Sequence, residues 1–188
     1  MGSDTDVAFT KDEIAGVVDL FGALTKAELV TALAELQYRH GGEYDVDAFA
    51  FRLDSATKSY HLVSIPERDH SIPAEELSDR ALETADETEA IDAVDEDGQL
   101  DAELLVVGPV AFPELPDGAD DLTHILDISR RSIDRETVAS AAASRFREDV
   151  ERALRADDET ARSRLVDVSY ELEAWASLDL EEERDRLR

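Results

Sequence analysis

Apolar residues near the start of this chain recur with the 3.6-residue period of a helix. Ile14, Val17, Val18 and Phe21 stand at i, i+3, i+4 and i+7 behind Thr10 and Glu13. The spacing of that Thr/Glu pair is a capping box, so a helix is predicted that ends near Gly22. Thr25 and Glu28 repeat the device a few residues on, ahead of a second stripe of Leu29, Ala32, Leu33 and Leu36 that Gly41 and Gly42 stop. The connection between the two helices has room only for a corner. Asp45 or Asp47 caps a third helix whose Val46, Phe49, Ala50, Leu53 and Ala56 share one face.

The period then changes from 3.6 to 2. Tyr60 to Ile65 reads as a strand ended by Pro66, and Leu104 to Phe112 as its partner, with Pro109 at an edge or bulge. Three helices followed by a two-stranded ribbon is the order of a winged helix-turn-helix. Between the strands, residues 67–103 carry fifteen acids and two bases. Leu77, Leu82, Ile91 and Val94 are too sparse there for a firm stripe, which leaves at most a loose helix from Pro73 to Ala90 within a solvated loop. Pro113, Pro116 and Gly118 then punctuate an extended crossing that runs to residue 133.

After the crossing the helical period returns. Asp134 caps a helix with Ile133 and Val138 as a hydrophobic staple, and Val138, Ala142, Phe146, Val150 and Ala153 or Leu154 form its buried face. Asp157 or Asp158 opens another, in which Ala161, Leu165, Val168, Leu172 and Trp175 step by 4, 3, 4 and 3. The pair makes an antiparallel hairpin, and the same stripe suits a helix-mediated homodimer. Leu178 to Arg188 reads as a fraying turn or two. The expected fold is therefore α+β and mostly helical. It comprises a winged-helix-like unit over 8–115 with an acidic insertion, a crossing over 116–133 and a helical hairpin over 134–188.

Charge changes this picture more than any motif does. Asp and Glu number 47 against 19 Lys and Arg, a formal net charge of −28, and only Lys11, Lys26 and Lys58 are lysines. Excess short carboxylates with lysine suppressed are what a cytosol of multimolar salt selects, where the Debye length falls to about 3 Å and repulsion is screened. In dilute buffer the same charges repel across the whole surface and oppose the compact state. A halophilic archaeal cytosol is the expected setting, with K+ and Na+ held diffusely by the acidic surface. The absence of cysteine excludes disulfides, thiolate nucleophiles and sulfur-ligated metals. With no signal-like opening and no apolar run near the roughly 20 residues of a membrane span, a cytoplasmic protein without membrane contact is expected. The charge is uneven: residues 1–122 sum to −23 and residues 123–188 to −5.

Candidate chemistry is sparse. No phosphate-binding loop, dinucleotide fingerprint, nucleophile elbow or zinc-protease motif occurs. His40, His61, His70 and His124 lie too far from one another for a metal cage. Asp95 to Asp101 imitates a calcium loop around Gly98, but the closing bidentate glutamate is missing, since Leu104 stands at its position. Paired carboxylates are too numerous to mark an acid–base site. No cofactor, metal or catalytic residue is assigned, and the chain reads as a non-enzyme. Two basic groups remain as contact candidates: Arg39, Arg52, Ser55, Thr57 and Lys58 around the third helix, and Arg130, Arg131 and Arg135 before the hairpin. Asp127, Asp134 and Glu136 stand close enough in sequence to neutralise the second group, and Trp175 is expected in the core.

The runs Ala15-Gly16-Val17-Val18-Asp19-Leu20-Phe21-Gly22-Ala23-Leu24-Thr25, Gly108-Pro109-Val110-Ala111-Phe112-Pro113, Thr123-His124-Ile125-Leu126-Asp127 and Tyr170-Glu171-Leu172-Glu173-Ala174-Trp175 resemble an uncharacterised protein family of haloarchaea. The resemblance covers most of the chain apart from the acidic insertion. It implies the same saline setting and transfers no functional residues, because that family has no assigned activity. The expectation is a macromolecular binding or adaptor protein that contacts a protein partner through the winged-helix unit or the hairpin. The alternative is a winged-helix DNA-binding regulator.

Overall fold

The computed structural model describes residues 9–42, 46–66 and 103–188, and the side chains of residues 46 and 47 are not among those described. The expected insertion helix, His70, the Asp45 cap and the calcium-like run lie outside the described residues. Helices α1 (Lys11–Phe21) and α2 (Lys26–Arg39) start at the two predicted capping boxes, with both the Thr hydroxyl and the Glu carboxylate engaged in each. Helix α3 spans Val46–Lys58 and buries Phe49, Leu53 and Ala56 against α1 and α2.

The corner between α1 and α2 is more than a corner. Leu24 and Thr25 form a short strand, β1, because the extended backbone that lets Thr25 cap α2 also aligns it with β3 (Leu104–Val107). With β2 (Leu62–Ile65) the sheet has three antiparallel strands in the order β1-β3-β2, in place of a two-stranded ribbon. Leu62 pairs with Val107 and Ile65 with Leu104, while Leu24 pairs with Leu105. The strands are shorter than expected. Tyr60 takes a positive φ of 63° before β2, and Gly108 and Pro109 turn the chain out of β3.

Both faces of this small sheet are covered. Leu62 and Leu105 point into the core formed with α1, α2 and α3. Val63, Ile65, Leu104 and Val106 point the other way, into a second core with Phe146, Val150, Leu165 and Leu172 of the helical hairpin. A continuous apolar run such as Leu104-Leu105-Val106-Val107 is what a strand buried on two faces requires. The hairpin consists of α5 (Arg135–Ala156) and α6 (Glu159–Trp175), capped by Asp134 as predicted and by Asp158, one of the two caps expected there. The second core holds a buried polar tie. The Tyr60 hydroxyl donates to Asp149 at 2.7 Å, and burial, followed by the Asp149 charge, pushes the phenol well above its ordinary range, so it stays a proton donor.

The chain that leaves β3 and leads into the crossing is seated along α1. Its Phe112 N–H donates to the Asp12 carboxylate and its Glu114 N–H to the Asp12 carbonyl, 2.8 and 3.1 Å away. At the far end of the crossing the Arg131 N–H donates to the Phe21 carbonyl at 2.8 Å. Such closeness depends on Gly16 and Gly22, where a Cβ would stand 1.9 Å from the Glu114 oxygen and 2.0 Å from the Arg131 oxygen. The segment is also less extended than predicted, with a 3-10 turn (Ala119–Asp121) leading into α4 (Leu122–Ile125).

The C-terminal segment does not fray. Helix α7 (Glu181–Leu187) docks on α5 and α6 with Leu180 and Leu187 buried. Arg184 grips both Glu173 carboxylate oxygens at 2.8 and 2.9 Å, which holds that carboxyl below the usual range. This bidentate pair ties down a helix too short and too charged to persist alone. No helix among the described residues is long and apolar enough to cross a membrane.

Candidate functional site

Helix α3 is the element where a contact surface was expected. Its inward stripe of Phe49, Leu53 and Ala56 leaves Phe51, Asp54 and Lys58 on the outward side. Phe51 is 74% exposed, although aromatic side chains ordinarily bury most of their surface. Lys58 is not available as an isolated charge, since its ammonium lies 2.5 Å from the Asp54 carboxylate one turn away. Arg52 reaches back to the Phe9 carbonyl at 3.3 Å. Thr57 bonds the Leu53 carbonyl within the helix, and Ser55 is half-buried.

Arg39 leaves this group altogether. Its guanidinium lies against Asp121 at 2.8 Å and the Gly118 carbonyl at 3.2 Å, which fastens the end of α2 to the turn before α4. The first candidate set is thus a helix face with one exposed aromatic and internally matched charge. It is not a row of free cations.

The second set disperses, correcting the expectation of one anion patch. Arg131 is only 7% exposed and forms a bidentate pair with fully buried Glu28 at 2.6 and 2.7 Å, with the Ala23 carbonyl as a further acceptor. Arg130 donates to the Leu20 carbonyl at 2.7 Å. Arg135 bonds the Trp175 carbonyl and lies over the indole, 5.7 Å from its centre. The predicted neutralising partners Asp127, Asp134 and Glu136 are not the ones used, because the crossing aims Arg131 into the protein toward α2. In the hairpin, Arg145 lies 3.7 Å from Asp149 and Arg152 also pairs with Asp149, while Glu151 pairs with Arg186 of α7.

One constellation escaped sequence reading. Lys11, Asp12, Ser59 and His61 converge where α1, the end of α3 and the start of β2 meet. The Lys11 ammonium donates to the Ser59 hydroxyl at 2.9 Å, His61 Nδ1 lies 3.0 Å from the same oxygen, and His61 Nε2 lies 3.8 Å from Asp12. The residue types are those of a hydrolytic triad, but the geometry is that of a tie. Ser59 hydrogen-bonds the Ser55 carbonyl at 2.8 Å, and 3.8 Å is too long for an imidazole–carboxylate hydrogen bond. The Asp12 carboxylate is engaged by the Phe112 N–H as well. His40 serves locally, its ring 2.7 Å from the Leu36 carbonyl, and His124 is exposed. Among the described residues, no group of three or more His, Asp or Glu side chains is arranged to hold a metal ion.

Burial lowers the His61 pKa from its ordinary 6.5, with the Asp12 charge opposing. The unfolded chain therefore takes up this proton first as the pH falls. The contribution to stability is complete above about pH 6.5 and is lost as the pH drops through the folded value. Relative to a His61→Gln variant, the wild type is expected to lose unfolding free energy on acidification from about pH 7 to about pH 5. Denaturant curves at fixed high salt that run parallel for the two proteins would contradict this.

Comparison with known proteins finds one family model that matches, over residues 12–188, described as Family of unknown function (DUF7109). No curated protein matches, and no solved structure matches.

Proposed function

From the premise that the chain belongs to that family of unknown function, we propose that it is a non-enzymatic adaptor of a halophilic archaeal cytosol whose winged-helix unit contacts a protein partner. The order α1-β1-α2-α3-β2-β3, with β3 central in the sheet, supports the winged-helix reading. In that arrangement α3 is the recognition element. The observation that carries the choice of partner is the outward side of α3, where Phe51 is exposed and Lys58 is already matched by Asp54. An exposed aromatic beside an already matched ion pair suits the apolar centre of a protein interface. A phosphate backbone asks for unmatched cations, and the Lys58 ammonium is already matched by Asp54.

Affinity purification with the wash held at roughly 2 M KCl, near the expected native ionic strength, tests this reading. A co-purifying protein is expected, and Phe51→Asp is expected to reduce its recovery at least tenfold, as for a central interface aromatic. Nucleic acid recovered in its place, and lost on substituting Arg39, Arg52 or Lys58, would support the regulator alternative and refute the adaptor.

A further inference from the structure

We propose that the cleft beside the N-terminal half of α5 binds a small amphiphilic organic anion, a carboxylate or sulfonate carried on an apolar body. The cleft has a volume of about 580 Å³ and is bounded by α5 and the connection from α6 to α7. That size falls within the range of small-molecule sites, roughly 300–1,000 Å³. A second recess of about 260 Å³ lies on the other side of Arg135, and Val106, Val107, Val138 and Trp175 contribute to its walls.

The charge of the lining argues for an anion. Among the described residues two guanidinium groups, Arg135 and Arg147, line the larger cleft with one carboxylate, Glu136, and Glu183 pairs with Arg147, in a chain whose acids outnumber its bases by 28. Both arginines are held in place without being used up. Arg135 is anchored at the Trp175 carbonyl and ring, and Arg147 through its Nε to Glu183 at 2.7 Å. A guanidinium has five N–H donors in a planar fork, so each retains donors for a bidentate oxyanion.

The remaining lining argues for an apolar body. Ala139, Ala143, Ala176 and Leu178 provide apolar walls, and Ser140 and Ser177 supply two hydroxyls. At high ionic strength diffuse attraction is screened, so a simple inorganic anion gains little. A ligand that adds buried apolar area to a directed charged hydrogen bond keeps its affinity. The site is separate from the α3 face and stands whether or not that face contacts a partner.

Trp175 is the sole tryptophan, lines the smaller recess and lies against Arg135, which lines both, so it provides a nearby probe. Titration of the full chain with anilinonaphthalene sulfonate in roughly 2 M KCl, read as energy transfer from Trp175, is expected to saturate at one dye per chain. Phenylbutyrate is expected to displace the dye. Arg147→Gln and Arg135→Gln are each expected to weaken binding about tenfold, the effect of removing one charged hydrogen bond. Ser140→Phe, at an exposed position that leaves the cores intact, is expected to fill the cleft and abolish binding. Circular dichroism of each variant separates loss of the site from loss of fold. Dye binding that does not saturate, or that is unchanged in Arg147→Gln and Ser140→Phe, would overturn the proposal and place the dye on another apolar surface.

Discussion

Gly16→Ala is expected to destabilise the protein by roughly 3 kcal/mol or more, the upper end of what overpacking costs. The added methyl would lie 1.9 Å from the Glu114 carbonyl oxygen and 2.5 Å from its carbon. These are backbone atoms, so no side chain can swing aside to make room. Relief requires lifting the chain that leads into the crossing from α1, which breaks the hydrogen bonds from Phe112 and Glu114 to Asp12. Gly41→Ala is the matched control. Gly41 has a φ of +76°, and a Cβ there would meet nothing within 4 Å among the described residues, so alanine is expected to meet the left-handed backbone penalty of about 1–2 kcal/mol. Thermal unfolding at constant high KCl gives both values, and a Gly16→Ala cost no larger than that of Gly41→Ala would mean this chain is not seated as described.

The second large effect concerns Glu28 and Arg131. Either single change, Glu28→Gln or Arg131→Met, is expected to cost about 3–5 kcal/mol, because it breaks a buried bidentate ion pair from one side. Glu28 is 0% exposed and also accepts from the Thr25 N–H at 2.8 Å, so the same carboxylate closes the cap of α2. The double variant Glu28→Gln with Arg131→Met removes both charges and keeps an amide oxygen for Thr25. Its cost is expected to be well below the sum of the singles, as a double-mutant cycle by denaturant unfolding would record. Additive costs would indicate that the two side chains do not depend on each other.

The parts of the fold that were legible in advance are those governed by neighbouring residues. Thr10 with Glu13 and Thr25 with Glu28 announced two helix starts, and Asp134 and Asp158, the latter one of two candidate caps, announced the hairpin. Each is a bond between groups three residues apart, so no distant residue is needed to form it. Strand ends were less legible. Tyr60 carries a positive φ and stands outside β2 because it closes the end of α3, its N–H donating to the Thr57 carbonyl and the His61 N–H to the Ala56 carbonyl. The run Leu104-Leu105-Val106-Val107 held a signal for burial on both sheet faces, since a strand with one wet face alternates. The two-stranded ribbon left that signal unused.

The candidate site was less legible than the fold, since salt-bridge partners are chosen in space. Arg131 has Asp127 and Asp134 close in sequence yet pairs with Glu28, 103 residues away. Arg39 likewise finds Asp121, and Lys11 finds Ser59. In a chain with 47 carboxylates each arginine has many candidate partners, and only the path of the backbone selects one. Phe51 follows the same rule in reverse. Three apolar residues within five positions, Phe49, Phe51 and Leu53, cannot all face inward on a helix, and the packing of α3 decides which stays out.

The sequence by itself determined the helix starts, the hairpin, the strand pair β2–β3 and the acidic surface, because capping, periodicity and charge act within a few residues or over the whole surface without regard to partner. Tertiary structure alone decided that β1 joins the sheet, that the hairpin covers its second face, that the chain leading into the crossing lies against Gly16 and that each arginine has its particular acceptor. Those outcomes depend on pairs of groups tens of residues apart, where close approach and desolvation exist only after the chain has packed.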